Sequence, residues 1–164
     1  MEVYHRLNLP YIVNLLATSK TDNGMPIFAV EYMDSGNLRQ YLDKKLKQEP
    51  AHVEFLKVEI AWAIANGISQ IHYLGKLHRD LKFANILVST TKYIKLADFG
   101  QMCDISLSPM TERQGTIRWM TPLVLANKEE YCRAAYIYSF GVILTKFDTL
   151  EVPLKDLFRS DIEK

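Results

Sequence analysis

The chain has 164 residues and a formal net charge of +1, with twenty Lys and Arg against nineteen Asp and Glu. At about 150 residues per domain, that is one domain or part of one. Hydrophobic residues at 48% and charged residues at 24% exclude a disordered tail or a fibrous repeat and leave material for a core. The balanced charge points to no nucleic-acid or anionic-membrane partner. Cys103 and Cys132 fit neither a disulfide framework nor a zinc pattern, and read as free thiols in a reducing compartment. No apolar run approaches the roughly 20 residues of a membrane span. The start Met1-Glu2-Val3-Tyr4-His5-Arg6 carries no secretory signal, so a cytoplasmic location is expected.

In chain order, residues 1–9 read as the end of a helix stopped by Pro10. Apolar runs at 13–19 and 27–32 flank an Asn23-Gly24 turn, which predicts a β-hairpin. Ser35-Gly36 precedes a short helix at about 37–46, followed by a charged loop ending at Pro50. The clearest helix is expected at 52–74, because Ile60, Ile64, Ile68 and Ile71 share one face. Gly75 stands where a helix C-cap glycine belongs. Ile86-Leu87-Val88 and Tyr93-Ile94-Lys95-Leu96 predict a second hairpin. Residues 99–130 read as irregular, and 134–147 as an apolar, buried helix. Hairpins, a helical body and a long irregular segment predict an α+β fold.

The informative stretch is His78-Arg79-Asp80-Leu81-Lys82-Phe83-Ala84-Asn85, followed by Asp98-Phe99-Gly100 thirteen residues after Asn85. Asp-Phe-Gly alone is weak. Joined to H-R-D-L-x-x-x-N through a predicted hairpin, it is specific. On these residues the sequence resembles the protein kinase family, and the resemblance covers essentially the whole chain. Glu31-Tyr32-Met33 looks like the hinge, Gly115-Thr116-Ile117-Arg118-Trp119-Met120 like the substrate-binding loop, and Tyr138-Ser139-Phe140-Gly141 like the large helix of the C-terminal lobe. Lys82 and the Arg-Trp-Met wording look most like the tyrosine-kinase-like group of Ser/Thr kinases.

The resemblance implies a protein-kinase-like α+β fold, with residues 1–33 as N-lobe remnant and hinge and 34–164 as an incomplete C-lobe. It also implies ATP and Mg²⁺ as cofactors and Ser/Thr of proteins as acceptor. Asp80 would take the hydroxyl proton and Lys82 would stabilise the transferred phosphoryl. Asn85 and Asp98 would be the metal ligands. Val30 takes the gatekeeper place. Glu31 and Met33 would meet adenine through their backbones, with Leu87 as its floor. His78 is expected to be a packed structural residue, and Arg79 to pair with a phosphate on the 99–120 segment, where Ser106, Ser108 and Thr111 lie. Thr116 resembles the residue that ties the substrate loop to Asp80 and Lys82. Taken alone, Asp80, Asn85 and Asp98 could equally cap turns, and Arg79 could be an ordinary surface arginine.

The sequence also departs from the family pattern. The Gly-rich loop and its strand lysine have no counterpart, and Glu2 is two places from the expected C-helix glutamate. Leu123 replaces the glutamate of Ala-Pro-Glu, Tyr136 replaces a buried aspartate, and Lys146 a glutamate. Weak nucleotide binding and little turnover are therefore expected of the chain by itself. The alternative reading is a non-catalytic interaction module or a gene fragment.

Overall fold

The computed structural model describes residues 9–104 and the helix 133–149. The expectations for residues 1–8, Ser106, Ser108, Thr111, Thr116 with its loop, Leu123 and Cys132 lie outside the described residues, as does the side chain of Tyr136. The described elements are β1 (Leu15–Lys20), β2 (Pro26–Val30), α1 (Leu38–Leu46), α2 (Lys57–Tyr73), β3 (Lys76–Leu77), a 3₁₀ turn (Phe83–Asn85), β4 (Ile86–Ser89), β5 (Tyr93–Leu96), β6 (Cys103–Asp104) and α3 (Arg133–Thr149). The strands pair antiparallel as β1–β2, β3–β6 and β4–β5. Helices joined to small antiparallel sheets make the fold α+β.

The first hairpin turns at Gly24, whose φ of +77° is open to glycine without strain. There Thr21 N–H donates to the Met25 carbonyl and its hydroxyl accepts from Met25 N–H. The strands are shorter than the apolar runs predict. Val13 falls outside the hairpin because β5 competes for the backbone there: Val13 N–H donates to Leu96 and Leu96 N–H to Tyr11, each at 2.8 Å.

α1 begins as expected, with Asn37 as its N-cap. The Asn37 side chain accepts from Gln40 N–H and the Gln40 side chain accepts from Asn37 N–H, each at 3.0 Å. α2 starts five residues later than the periodicity suggests. Residues 52–56 are held against α1 instead, through the Phe55 N–H bond to the Tyr41 hydroxyl (3.1 Å) and the Lys45–Glu54 ion pair. Phe55 also packs edge-on against Tyr93, with ring centroids 5.2 Å apart. Glu59 then reaches back to Leu56 N–H at 2.7 Å and closes the helix start.

The isoleucine face of α2 is the centre of the core: Ile60, Ile64, Ile68 and Ile71 are all buried. They pack with Ile86 and Val88 of β4, Ile94 and Leu96 of β5, Leu38 of α1 and Ile143 of α3. Each such side chain contributes about 1.5–3 kcal/mol relative to exposure. Gly75, at φ +69°, ends α2 in the left-handed conformation expected of it. α3 is only partly the apolar buried helix expected. Ile143 and Phe147 are in the core, Ile137 is 70% exposed, and the buried set also includes Ser139 and Lys146.

Candidate active site

The loop after β3 carries Asp80, and its shape follows from His78. The His78 ring is buried, and its Nε2 lies 2.9 Å from the Ala97 carbonyl. That carbonyl can only accept, so Nε2 carries the proton. Nδ1 is then free to accept from Asp80 N–H at 3.4 Å. Burial holds the His78 pKa below the ordinary histidine value. The ring is thus a neutral strut, as expected, and Phe99 packs on it with centroids 5.3 Å apart. Arg79 is pulled into the left-handed region, φ +66°, between this strut and Asp80. Such a conformation is uncommon for a non-glycine residue and costs of order 1 kcal/mol. Arg79 lies beside Cys103, at the start of the segment it was expected to face. Burial raises the thiol's pKa there and the guanidinium partly opposes the shift.

Asp80 is the meeting point of the candidate catalytic residues. Its Oδ2 accepts from Lys82 Nζ at 2.6 Å and from Asn85 Nδ2 at 3.0 Å. The same Asn85 nitrogen donates to the Asp80 carbonyl at 2.8 Å. Asp80 and Asn85 are buried, and the Lys82 side chain is 25% exposed. One carboxylate oxygen is therefore fixed by two donors, one of them charged. Because the Asn85 amide nitrogen is committed to Asp80, its Oδ1 is the atom left for a cation.

Asp98 joins this group through strand register. Ile86 opposes Leu96 in the β4–β5 hairpin, and Ala97 N–H donates to the Asn85 carbonyl at 2.8 Å. Asp98 is the next residue. It is exposed and held at φ +63°. An exposed carboxylate and an amide oxygen are hard donors, which suit Mg²⁺ better than a thiophilic metal.

The residues expected to form the hinge run from the end of the first hairpin to the side of β4. Met33 and Glu31 are buried, whereas Val30, at the hairpin end opposite Leu15, is 52% exposed. Leu87 is partly buried and pairs with Asn37 across an isolated bridge. Ser35 N–H donates to Val88 and Val88 N–H to Gly36, so residues 35–37 run beside β4. Glu31 N–H is taken by the Asn14 carbonyl at 3.0 Å.

Three ties of residues 31–34 escape the sequence reading. The Glu31 carboxylate pairs with Lys95 at 2.6 Å. Lys92 Nζ donates to the Tyr32 carbonyl at 2.7 Å. Asp34 accepts from the Thr90 hydroxyl and N–H, and these bonds, with a further one from Ser89, hold its carboxyl well below the usual carboxylate range. The residues of each pair are more than fifty positions apart, so no local pattern marks them.

A family model, the protein kinase domain, matches residues 1–164. The chain belongs to the protein kinase family. Among curated relatives of this kinase-family chain is a serine/threonine/tyrosine-protein kinase HT1 from Arabidopsis thaliana, 36% identical over 156 residues. That match covers 93% of this chain and 38% of the relative. Mitogen-activated protein kinase kinase kinase 13 from Homo sapiens is 34% identical over 152 residues, covering 91% and 15%. A probable serine/threonine-protein kinase from Dictyostelium discoideum is 32% identical over 159 residues, covering 96% and 17%. The chain thus spans well under half the length of these relatives. No helix among the described residues is long and apolar enough to cross a membrane.

Proposed function

We propose that the site transfers the γ-phosphoryl group of ATP to a Ser or Thr hydroxyl of a protein. The observation that carries this reading is the Asp80 carboxylate gripped by Lys82 and Asn85. Phosphoryl transfer depends on positioning and charge neutralisation rather than on covalent help from the protein. Asp80 would orient the acceptor hydroxyl and take its proton. Lys82, already at this carboxylate, would stabilise charge on the transferring group. Asn85 Oδ1 and the Asp98 carboxylate would hold Mg²⁺, which when bound neutralises and orients phosphate oxygens.

The Glu31 carbonyl and Met33 N–H would bind the adenine edge, since Glu31 N–H is already committed to Asn14. Leu87 would form the floor and Val30 a wall. In this reading residues 1–33 serve as N-lobe and hinge and 34–164 as C-lobe. The small net charge supports a protein rather than a nucleic-acid partner. The free thiol of Cys103 supports a reducing, cytoplasmic location.

A second reading, a non-catalytic interaction module, is favoured by the exposed Leu16, Ile27 and Phe28 of the first hairpin. Calorimetric titration with MgATP separates the two. Heat of binding that disappears in Asp98→Ala supports the kinase reading, and no binding by the wild-type chain supports the module.

A further inference from the structure

We propose that Lys146 is a specificity-determining residue that favours protein acceptors carrying an acidic side chain close to the acceptor Ser or Thr. The inference rests on the phosphoryl-transfer reading above and narrows its substrate class. Lys146 stands where the kinase pattern has a glutamate, so the positive charge here belongs to this chain. The residue is only 2% exposed, and its Nζ has no hydrogen-bond partner among the described residues. Nζ lies instead 4.7 Å from the centre of the buried Phe83 ring. The ring offsets only part of what an ammonium loses on leaving water. The other charges that act on it are Arg39 and Asp43 of α1. Asp43 is already engaged, since Arg39 Nε donates to its Oδ2 at 3.1 Å. Burial and then Arg39 hold the Lys146 pKa below the ordinary lysine value, and Asp43 opposes them only in part. The group is short of one negative charge.

The place of this missing charge points to the acceptor chain. Phe83 directly follows Lys82 and stands three residues after Asp80, the proposed seat of the acceptor hydroxyl. Three residues of chain span at most about 11 Å. An extended acceptor advances about 3.3 Å per residue, so a side chain two or three places from the Ser or Thr covers that distance. An aspartate or glutamate there would meet two cations, Lys146 and Arg39, whereas the Lys82 charge is already matched by Asp80. The α1 pair is no firm barrier to its entry. The Arg39 and Asp43 side chains are 42% and 47% exposed, and a surface pair of this kind holds weakly. An entering carboxylate would displace Asp43 and bind both cations, and the low polarity around Nζ strengthens the contact made there. An arginine or lysine in its place would add a third positive charge and be rejected.

The test uses fluorescein-labelled peptides with one Ser in an alanine background. Each carries a single Asp or a single Arg at one of the three places on either side, and the all-alanine flanks serve as parent. Radiolabel transfer from MgATP gives kcat/KM, and fluorescence anisotropy gives Kd. Wild type, Lys146→Met and Lys146→Glu are compared, each first shown by urea denaturation to be folded. With wild type, Asp two or three places from the Ser should improve both quantities by about tenfold over the parent, as a hydrogen bond between charged groups does. Arg at the same place should weaken both. Lys146→Met should bring the Asp-to-parent ratio close to one, and Lys146→Glu should invert the preference toward Arg. Lys146→Met only removes a buried charge, so it decides the matter if Lys146→Glu does not fold. Wild-type labelling with no preference for Asp, or a preference that survives in Lys146→Met, would overturn the acidic subsite alone. No label on any peptide would instead overturn the phosphoryl-transfer reading and the subsite with it.

Discussion

Replacing Gly67 with alanine adds one methyl where α2 crosses β5. The new Cβ would stand 2.8 Å from Leu96 Cδ1, 2.9 Å from Leu96 Cγ and 3.0 Å from the Tyr11 carbonyl oxygen. None of these neighbours can yield cheaply. Leu96 is 1% exposed, and the Tyr11 oxygen is bonded to Leu96 N–H. Overpacking of this kind costs about 1–3 kcal/mol. Alanine in place of glycine returns about 1 kcal/mol of helix propensity. The middle of the first range less the second leaves a destabilisation of about 1 kcal/mol. Gly141 in α3 is the control, since beyond its own helix backbone no atom among the described residues lies within 4 Å of its would-be Cβ. Gly141→Ala should therefore stabilise by about 1 kcal/mol. Urea denaturation reads both, and with a slope of about 2 kcal/mol/M the midpoints should move roughly 0.5 M in opposite directions. If Gly67→Ala raises the midpoint as Gly141→Ala does, the close α2–β5 approach is wrong.

Stability should fall as pH drops below about 6.5, the ordinary histidine value. The folded His78 resists protonation that the unfolded chain accepts, so the unfolded state binds more protons there. Denaturation midpoints across that pH range check this, and His78→Gln should flatten the dependence. Lys146 is buried, its Nζ has no hydrogen-bond partner among the described residues, and it lies 4.7 Å from the centre of the Phe83 ring. Burial lowers its pKa, so wild type should gain stability as pH rises toward the ordinary lysine value. Lys146→Met should raise stability by about 1–2 kcal/mol near neutral pH and abolish that alkaline gain. Asn37→Ala should cost about 1 kcal/mol by removing the α1 cap, read from the same denaturation curves.

Local signals served the sequence reading well. The Asn37 start of α1, the isoleucine stripe of α2, Gly75 and both hairpins need only nearest-neighbour rules. Asp80, Asn85 and Asp98 stand out only through the resemblance of their two motifs to the kinase family, since taken alone each reads as a turn residue. What escaped is set by distant partners. The late start of α2 depends on Tyr41 and Tyr93, which no window around residue 52 contains. The Glu31–Lys95 pair joins residues 64 positions apart. The left-handed backbone at Arg79 has no signal in its residue type, because it follows from the His78 strut. Nothing near Lys146 in sequence marks its place beside the Phe83 ring, which follows from how α3 packs.

Transfer of radiolabelled γ-phosphate from MgATP to protein, compared between the wild-type chain and Asp80→Asn, tests the central claim most directly. Slow, Mg²⁺-dependent label on Ser and Thr is expected, reduced at least a hundredfold in the variant. No label with the wild type, label that survives Asp80→Asn, or label mainly on Tyr would contradict it.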